Sequence, residues 1–372
     1  MKENKLCIIV SDVNESHQFN ALFDGLKEAG YDISLIFIGA TYPKIGERFT
    51  AKNFAVEFIE CWGKKDFPRA LRRIYSLLGK IKPDIVHTHL LTASLLGLTA
   101  AKLRGIKRRI HTRHHSVELH NSHPHAVYYD KYCNYMATHI VAISRNVANV
   151  LIEKEKVDPA RVSIIHHGFR LEYFDVEETA LNLKDKYSLE DCYPIVGVIS
   201  RFVDWKGVQY IIPAFAKVLE SHPFAKLVLA GGKGDYTEKI HEQLAKELPP
   251  QSYVLIGFES HIFNLFKTFD VFVHAPIDPE VEAFGQIYVE ALALEVPSIF
   301  TLSGIASDFI VDKKNALVVD FRNSEMIAEA VETLIENRHL KESLQQQGRT
   351  DVENLFCIDK MIDSLNRIYS RN

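Results

Sequence analysis

Two carboxylates beside a glycine mark residues 275–297 (APIDPEVEAFGQIYVEALALEVP) as a candidate ligand site, with Glu290 eight positions after Glu282. Eight residues are roughly 80° more than two helical turns, so the two carboxylates do not share one helix face. We therefore expect Glu282 in a loop and Glu290 one turn into a helix that follows Gly285, each holding a different part of one hydroxyl-rich or anionic ligand. For this stretch alone, two solvated acids are the alternative.

A second candidate loop, residues 201–207 (RFVDWKG), directly follows a predicted strand and contains two cations. Arg201 offers a planar fork of donors and Lys206 a movable point charge, a combination that can bracket a diphosphate. The same cations could neutralise a departing phosphate oxygen without a metal ion. An ordinary charged loop is the alternative.

Histidines cluster in the first half of the chain. His111, His114 and His115 end a predicted strand (HTRHH), where one of them could bond a substrate hydroxyl. His87 and His89 flank Thr88, and we interpret both as hydrogen-bonded loop histidines. The spacing of the run that contains residues 120, 123 and 125 fits no zinc signature, so we expect a solvated loop there and no metal.

The glycine-rich loop at residues 231–234 also follows a predicted strand. It matches neither GxxxxGK[ST] nor GxGxxG, the patterns typical of phosphate-binding and dinucleotide-binding loops. We interpret it as a turn. The sequence thus predicts no metal and no other bound cofactor.

The elements that position these loops alternate between short apolar runs and amphipathic stretches. Alternation of this kind predicts doubly wound α/β domains with parallel sheets. Ser144 is the expected N-cap of a helix that reaches Lys154, and Pro213 should kink a helix or shift its start. The predicted strands cover residues 5–10, 33–38, 56–59, 84–87, 109–112, 139–143, 162–166, 195–199, 225–230, 253–256, 271–273, 298–301 and 316–319.

Length and composition favour two domains in a reducing compartment. At 372 residues the chain exceeds one ordinary domain, and five scattered Cys form no CxxC pair. The net charge, 44 minus 48, gives no general attraction to nucleic acid. No apolar run is long enough to span a membrane, so we expect a cytoplasmic protein. Basic residues at 69–80 and 102–109 could contact anionic acceptors or lipid headgroups, or be solvated faces.

Four motifs in this order resemble the family 4 glycosyltransferases, retaining enzymes of the GT-B fold with two Rossmann-like domains facing across a cleft. The motifs are DIVHTH (84–89), the segment at 140–174, ISRFVDWKG (199–207) and EAFGQIYVE (282–290). The resemblance implies an acceptor-side domain over residues 1–175, a nucleotide-sugar domain over 176–357, and a helix over 358–372 that crosses back to the first domain.

The resemblance also implies roles for individual residues. Arg201 and Lys206 would bind the donor diphosphate, Glu282 the sugar hydroxyls and Glu290 the ribose, with Phe284, Gly285 and Gln286 lining the sugar site. His114 would face the donor sugar, with His115 as the alternative, and Glu280 rivals Glu282. The leaving diphosphate would help to deprotonate the acceptor, and no metal would be bound.

Two departures from the family pattern concern backbone conformation. The loop SDVNESHQF (11–19) lacks the paired glycines usual after the first strand, which puts its backbone contacts to phosphate and acceptor in question. Glu295 replaces a common glycine, so it should resist the left-handed conformation or change the helix end.

These inferences predict a retaining glycosyltransferase that moves a sugar from a nucleotide-sugar donor to a glycan or lipid-linked acceptor, in surface polysaccharide assembly. UDP is favoured over GDP as the carrier, and peripheral contact with the inner membrane surface is possible under this hypothesis. The alternatives are a GT-B sugar-nucleotide epimerase and a degenerate protein that binds a nucleotide sugar without turnover. A phosphorylase is disfavoured because no pyridoxal-lysine context is recognisable.

Overall fold

The computed structural model describes residues 5–117, 123–175 and 183–370. The chain divides into two units, Met1–Arg170 with Phe356–Asn372, and Leu171–Leu355. The sequence pattern placed these divisions after residues 175 and 357, a few positions later. His120 and residues 176–182 of the connecting stretch lie outside the described residues.

The first unit contains a parallel seven-stranded sheet in the order β3-β2-β1-β4-β5-β6-β7. The order reverses between β1 and β4, and ligands of open α/β sheets bind at the carboxyl ends of such strands. The strands are β1 Lys5–Ser11, β2 Asp32–Gly39, β3 Ala55–Glu60, β4 Ile85–His89, β5 Arg108–Arg113, β6 His139–Ala142 and β7 Val162–Ile164.

The second unit contains a parallel six-stranded sheet in the order β10-β9-β8-β11-β12-β13. Here the order reverses between β8 and β11, the strands that precede the loops of Lys206 and Glu282. The two sheets confirm the predicted doubly wound α/β class. The strands are β8 Ile195–Ser200, β9 Lys226–Gly231, β10 Tyr253–Ile256, β11 Val271–His274, β12 Ser298–Phe300 and β13 Leu317–Val318.

Helices flank both sheets, and in the described ranges none is long and apolar enough to cross a membrane. The N-cap prediction at Ser144 is confirmed, because its side chain accepts a hydrogen bond from Val147 N. The helices are His17–Glu28, Lys44–Ala51, Phe67–Ile81, Leu91–Leu103, Ala126–Met136, Arg145–Asn149 with a π turn over Val150–Lys154, Leu183–Lys186, Val208–Ser221, Thr237–Glu247, Ile262–Phe266, Gln286–Ala293, Ala306–Phe309, Ser324–Glu336, Arg338–Phe356 and Ile358–Tyr369.

The helix Ala126–Met136 did not emerge from the sequence pattern because its buried side is partly polar. Asp130 and Asn134 are buried on it, while four tyrosines are exposed. Asp130 forms an ion pair with buried Arg113 at 2.8 Å, and Asn134 Nδ2 donates to Glu155 at 2.5 Å. An inward stripe of paired polar groups has no apolar periodicity to detect.

The C-terminal helix Ile358–Tyr369 packs into the core of the first unit, with six buried side chains. Gly25 permits close approach, because a Cβ there would lie 3.0 Å from Ile362 Cγ1. Phe169 N donates to Phe356 O at 2.8 Å, and Ile358 N donates to Phe169 O at 3.0 Å. The start of this helix is therefore fixed by backbone pairing within the unit.

Pro213 lies inside the helix Val208–Ser221, which begins five residues before it. Proline lacks an N–H group, so the carbonyl of Gln209 loses its helical partner. The side chain of Gln243 donates to that carbonyl at 2.9 Å. Of the two expected outcomes, a kink or a shifted helix start, the shifted start is wrong, and the kink stays a prediction.

At each of the two departures from the family pattern, a non-glycine residue occupies the left-handed region. Glu295 has φ 57° and Asp12 has φ 55°. The Glu295 carbonyl accepts a hydrogen bond from Gln345 Nε2 at 2.6 Å. The expectation that Glu295 resists this conformation is wrong, although it costs an ordinary residue about 1 kcal/mol.

Candidate functional site

The loop after β8 touches the loop after β11 through their backbones. Gly207 has φ +74°, and a Cβ there would lie 1.8 Å from the carbonyl oxygen of Ala275. The carbonyl of Trp205 accepts a hydrogen bond from Ile277 N at 3.1 Å. Only glycine allows this approach, which brings two loops distant in sequence to one sheet edge.

Lys206, Glu282 and His274 form a buried polar cluster at this edge. Lys206 Nζ donates to Glu282 Oε1, and His274 Nε2 lies 3.2 Å from the same oxygen. Glu282 is 6% exposed and His274 1% exposed. The predicted cation and carboxylate are thus joined directly, while His274, the last residue of β11, was missed because it ends an apolar run.

The cluster keeps its carboxylate ionised. Burial alone would raise the pKa of Glu282, but the Lys206 charge and the His274 hydrogen bond outweigh it and lower the pKa to about 2. Burial, helped by Lys206, lowers the pKa of His274 to about 4. At neutral pH the site therefore contains one ammonium, one carboxylate and one neutral imidazole.

The segment after β12 holds the Glu282 loop in place. Glu282 N donates to Ser303 Oγ at 3.3 Å, and Ser303 Oγ donates to the carbonyl of Asp278 at 2.7 Å. Gly304 has φ +59°, and a Cβ there would lie 2.7 Å from Glu282 Cβ. The orientation of the Glu282 carboxylate thus depends on residues that the sequence motifs did not indicate.

Phe284, Gly285 and Gln286 lead from this loop into the helix Gln286–Ala293, as predicted. Phe284 is 4% exposed, and its carbonyl accepts a hydrogen bond from Ile305 N at 2.9 Å. Gly285 has φ +78°, and a Cβ there would lie 2.7 Å from the Tyr288 ring. The glycine is therefore required by both backbone conformation and space.

Glu290 lies one helical turn beyond Gly285, and its carboxylate has no hydrogen-bonded partner among the described residues. It retains some solvent exposure, yet burial raises its pKa to about 7.

Glu280, the proposed rival of Glu282, is half-buried, and its backbone N donates to Asp278 Oδ1 at 2.8 Å. Of these three acids, Glu282 is the one joined to Lys206.

Arg201 is exposed at the beginning of the same loop. Its guanidinium carbon lies 5.8 Å from the Trp205 ring centroid, and Lys206 Nζ lies 4.7 Å from that ring. Both predicted cations therefore lie near the same aromatic ring. Trp205 was not singled out by the sequence motifs.

In the first unit, His114 and His115 contact different groups. His114 Nε2 lies 3.0 Å from His89 Nδ1, and its ring stacks on His167 at 5.4 Å. His115 Nε2 instead lies 2.9 Å from the buried carboxylate of Asp130. His114 thus belongs to a cluster of imidazoles, whereas His115 joins the Arg113 ion-pair network.

His87 and His89 were predicted in a loop, but both are buried in β4. His87 is hydrogen-bonded through both nitrogens, to Tyr369 Oη at 2.6 Å and Thr112 Oγ1 at 2.7 Å. His89 Nε2 is buried with no hydrogen-bond partner in the described chain. The loop interpretation is wrong because β4 extends two residues beyond the predicted end.

The hydrogen bonds determine which nitrogen of His111 carries its proton. Thr88 Oγ1 donates to the carbonyl of Ile110 at 3.3 Å, and Ser94 Oγ donates to Thr88 Oγ1 at 3.1 Å. Ser94 must then accept from His111 Nδ1, 2.9 Å away. His111 Nε2 is therefore a bare acceptor, buried with no partner among the described residues.

The same reasoning applies to His89. A buried N–H without an acceptor is rarer and more costly than a bare acceptor, so the proton belongs on His89 Nδ1. His89 then donates to His114 Nε2, and His114 carries its own proton on Nδ1. His114 can therefore donate a hydrogen bond to a ligand through Nδ1.

Burial keeps the five clustered imidazoles neutral. It lowers the pKa of His87 and His114 to about 3, and it lowers the pKa values of His89, His111 and His167 well below 6.5. Neighbouring imidazoles or Arg113 lower these pKa values further. The cluster can donate and accept hydrogen bonds but does not supply charge at neutral pH.

Leu90, directly after His89, has φ 69° and ψ 164°. This region is essentially confined to glycine and costs other residues about 1–3 kcal/mol. Strain is thus stored at the carboxyl end of β4, beside the histidine cluster.

The glycine-rich loop at residues 231–234 is held by a threonine side chain. Thr237 Oγ1 donates to the carbonyl of Gly232 at 3.0 Å and closes the glycine-rich loop as a turn. Across residues 5–117, 123–175 and 183–370, no group of three His, Cys, Asp or Glu side chains could hold a metal ion.

Two family models match the chain, one in each half. Residues 19–173 match Glycosyltransferase Family 4, and residues 181–351 match Glycosyl transferases group 1. The matches contain the motifs at 84–89, 199–207 and 282–290, and all but the last residue of the segment at 140–174.

Two known proteins similar to this chain each cover about four-fifths of it. The capsular polysaccharide biosynthesis glycosyltransferase CapM of Staphylococcus aureus is 28% identical over 310 residues, 81% of this chain and 80% of the relative. A UDP-Gal:alpha-D-GlcNAc-diphosphoundecaprenol alpha-1,3-galactosyltransferase of Escherichia coli is 24% identical and covers 81% of this chain and 79% of its own.

Among solved structures, Anabaena Alr3699/HepE in complex with UDP and glucose superposes with a TM-score of 0.83. The alignment covers 98% of this chain and 99% of that protein at 17% identity, so it shows a shared fold. The two parallel sheets, both family models and these relatives together show that the chain belongs to the family 4 glycosyltransferases of the GT-B fold.

Proposed function

We propose that this glycosyltransferase takes its sugar from a UDP-sugar, retains the anomeric configuration, and needs no metal ion. The acceptor in this proposal is a glycan or a lipid-linked saccharide of a surface polysaccharide, and the reaction takes place in the cytoplasm. The name of the Staphylococcus aureus relative refers to capsular polysaccharide, and that of the Escherichia coli relative to UDP-Gal and a diphosphoundecaprenol. The Anabaena protein was solved with UDP and glucose.

The observation that carries the proposal is the buried cluster of Lys206, Glu282 and His274. An ammonium has three donors, so Lys206 can hold Glu282 and a diphosphate oxygen at once. Glu282, with a pKa of about 2, stays ionised and can accept hydrogen bonds from sugar hydroxyls. Arg201, on the same loop, supplies a second cation for the diphosphate.

Further roles follow the family resemblance. Glu290 accepts hydrogen bonds from the ribose hydroxyls, and His114 donates to the donor sugar through Nδ1. The bond between the anomeric carbon and the phosphate oxygen breaks, and a bond to the acceptor oxygen forms on the same face. The acceptor proton passes to the leaving phosphate oxygen, whose growing charge Lys206 and Arg201 offset.

The first experiment incubates the protein with UDP-sugars and GDP-sugars, with and without a lipid-linked or polysaccharide acceptor. Nucleotide release that needs acceptor is expected, with activity unchanged by EDTA. Nuclear magnetic resonance of the product tests whether the anomeric configuration is retained. An inverted product would contradict retention, and loss of activity in EDTA would contradict metal independence.

The diphosphate assignment is tested by Lys206→Ala, with Lys217→Ala as control. Lys217 is also paired with a glutamate, Glu325, but on an exposed surface. Loss of a charge-assisted hydrogen bond of about 1.5–3 kcal/mol should weaken UDP binding roughly 10- to 100-fold. The control should bind as the parent does. Equal affinity of both variants would remove Lys206 from the diphosphate site.

The same assays separate the alternatives. An epimerase would change the donor sugar without acceptor, and a degenerate protein would bind the nucleotide sugar without turnover. A thermal-shift screen of nucleotide sugars identifies the donor, because a specific ligand stabilises the native state.

A further inference from the structure

Positive charge is concentrated in one part of the chain. Residues 61–117 contain 13 Lys or Arg and 2 Asp or Glu, whereas the whole chain has 44 and 48. Some of these cations are internal, such as Arg113 in its buried ion pair. Arg69 and Arg73 form surface pairs with Asp66 and Glu57. The others give the first unit a basic surface in a chain of net negative charge.

The basic surface coincides with three helices packed side by side: Phe67–Ile81, Leu91–Leu103 and Ala126–Met136. We call their outer surface, with the turn at 62–65, the tyrosine face. Large side chains that would ordinarily be covered are open to solvent on it. They are Trp62 (69% exposed), Tyr75 (38%), Leu103 (64%), Tyr128 (68%), Tyr129 (40%), Tyr132 (37%) and Tyr135 (69%).

Three cations of the tyrosine face contact tyrosine side chains. Lys64 Nζ donates to Tyr129 Oη at 3.2 Å, and Lys102 Nζ lies 4.2 Å from the Tyr135 ring centroid. The Arg104 guanidinium carbon lies 3.6 Å from the Tyr75 ring centroid. These contacts hold apolar rings and positive charges at one level of the surface, an arrangement suited to a boundary between water and an apolar phase.

A basic cavity of about 590 Å³ adjoins the tyrosine face, at the amino ends of β4 and β5. Lys82, Arg104, Lys107 and Arg108 line it, and Arg104 also belongs to the tyrosine face. Its single acid, Asp84, accepts a hydrogen bond from Lys5 N at 3.0 Å. The cavity offers several cations to one phosphate-sized anion. It opens at the sheet edge opposite to the carboxyl ends that carry the histidines.

We propose that the tyrosine face docks on an anionic lipid bilayer and that the basic cavity receives a lipid headgroup phosphate. Tyrosine and tryptophan favour the headgroup level of membranes, where their rings are buried and their polar atoms stay hydrated. Clustered Lys and Arg are attracted to anionic lipids, and interfacial binding adds buried apolar area to that attraction. The proposal is independent of the donor and acceptor of the enzyme.

The test is co-sedimentation of the full chain with vesicles of phosphatidylcholine, with and without phosphatidylglycerol. Binding is expected only to the anionic vesicles, and it should weaken as salt rises. The variant Lys64→Glu/Lys102→Glu should bind at least ~25-fold more weakly, at about five-fold per cation lost. Tyr128→Ser/Tyr135→Ser should also weaken binding, with its dependence on salt unchanged.

The matched control is Lys239→Glu/Lys246→Glu in the second unit, which makes the same charge change. Lys239 also lies over a tyrosine ring, that of Tyr236, at 4.5 Å. This control should bind as the parent does, and unchanged circular dichroism should verify that all variants are folded. If the control variant lost as much vesicle binding, the effect would come from the net charge of the protein and not from the tyrosine face. No binding to anionic vesicles, or full competition by free inorganic phosphate, would overturn the docking surface.

Discussion

The two sheets bury polar side chains at their carboxyl edges in opposite ways. The second unit gathers Lys206, Glu282 and His274 into a cluster with a permanent charge pair. The first unit gathers imidazoles, with His114 against His89 and His167, and keeps them neutral. Glycines meet the backbone requirements of the charged cluster, whereas strained Leu90 adjoins the neutral one.

Under the proposed function, this difference corresponds to a division of tasks. A charged site can compensate a diphosphate, whereas a neutral site can orient hydroxyl groups through hydrogen bonds without attracting ions. The two designs also respond differently to pH. Histidines that are buried in the neutral form make the folded state less stable as the pH falls below about 6, whereas a carboxylate with a pKa of about 2 does not.

The largest expected effect is acid destabilisation confined to the first unit. Burial lowers the pKa values of its five clustered histidines, His87, His89, His111, His114 and His167, below 6.5. The unfolded chain therefore binds more protons, and stability is lost as pH falls below that value. Below pH 6.5, each histidine that stays neutral in the folded state lowers the free energy of unfolding by about 1.4 kcal/mol per pH unit. Hydrogen exchange at pH 7.5 and 5.5, corrected for intrinsic rates, should show lost protection in β4 and β5.

The second unit provides the internal control. Glu282 stays ionised at pH 5.5, and Glu290, whose folded pKa is about 7, takes up a proton that relieves its burial cost. His274, with a pKa of about 4, acts in the opposite direction. Peptides of β8 and β11 should therefore keep their protection. If β8 or β11 lost protection at a higher pH than β4, the contrast between the two units would be contradicted.

Removing the cation of the charged cluster should have the next largest effect. Lys206→Met leaves Glu282 buried beside a neutral side chain, which costs about 3–5 kcal/mol of unfolding free energy. The double variant Lys206→Met/Glu282→Gln should recover part of that loss. Urea unfolding measures both. Lys217→Met, on the exposed pair with Glu325, should cost about 0–1 kcal/mol, and equal costs would refute a special role for burial.

The smallest expected effect comes from the neutral cluster. Tyr369→Phe removes the partner of His87 Nδ1 and leaves a buried polar atom unsatisfied, at a cost of about 1–3 kcal/mol. Tyr31→Phe is the control, because it keeps the edge-on ring contact with Tyr369 at 5.5 Å. Its hydroxyl has no hydrogen bond among the described residues. Urea unfolding should separate the two variants, and equal costs would show that the hydrogen bond to His87 adds no stability.

The sequence was most informative where chemistry and spacing coincided. Apolar runs predicted each of the thirteen strands found in the described part of the chain, and the motifs indicated Lys206 and Glu282 as candidate site residues. Their ion pair was not foreseeable, because the two residues are 76 positions apart and the loops that carry them meet at Gly207 with Ala275 and at Trp205 with Ile277.

Polar groups inside regular elements were the main source of error. His87 and His89 end a strand, but a histidine contributes nothing to apolar periodicity, so β4 was predicted two residues short. The buried side of Ala126–Met136 contains Asp130 and Asn134, so this helix was missed. With it, the sequence also missed the four tyrosines that characterise the tyrosine face.

The return of the chain to the first unit has a consequence for biosynthesis. The second unit is one contiguous segment, Leu171–Leu355, whereas the first needs the helix Ile358–Tyr369, which leaves the ribosome later. Until then His87 lacks Tyr369, and the core around Gly25 is open. The unit that is translated second can therefore complete its folding first, and the nascent N-terminal half must stay free of aggregation while it waits for its last helix.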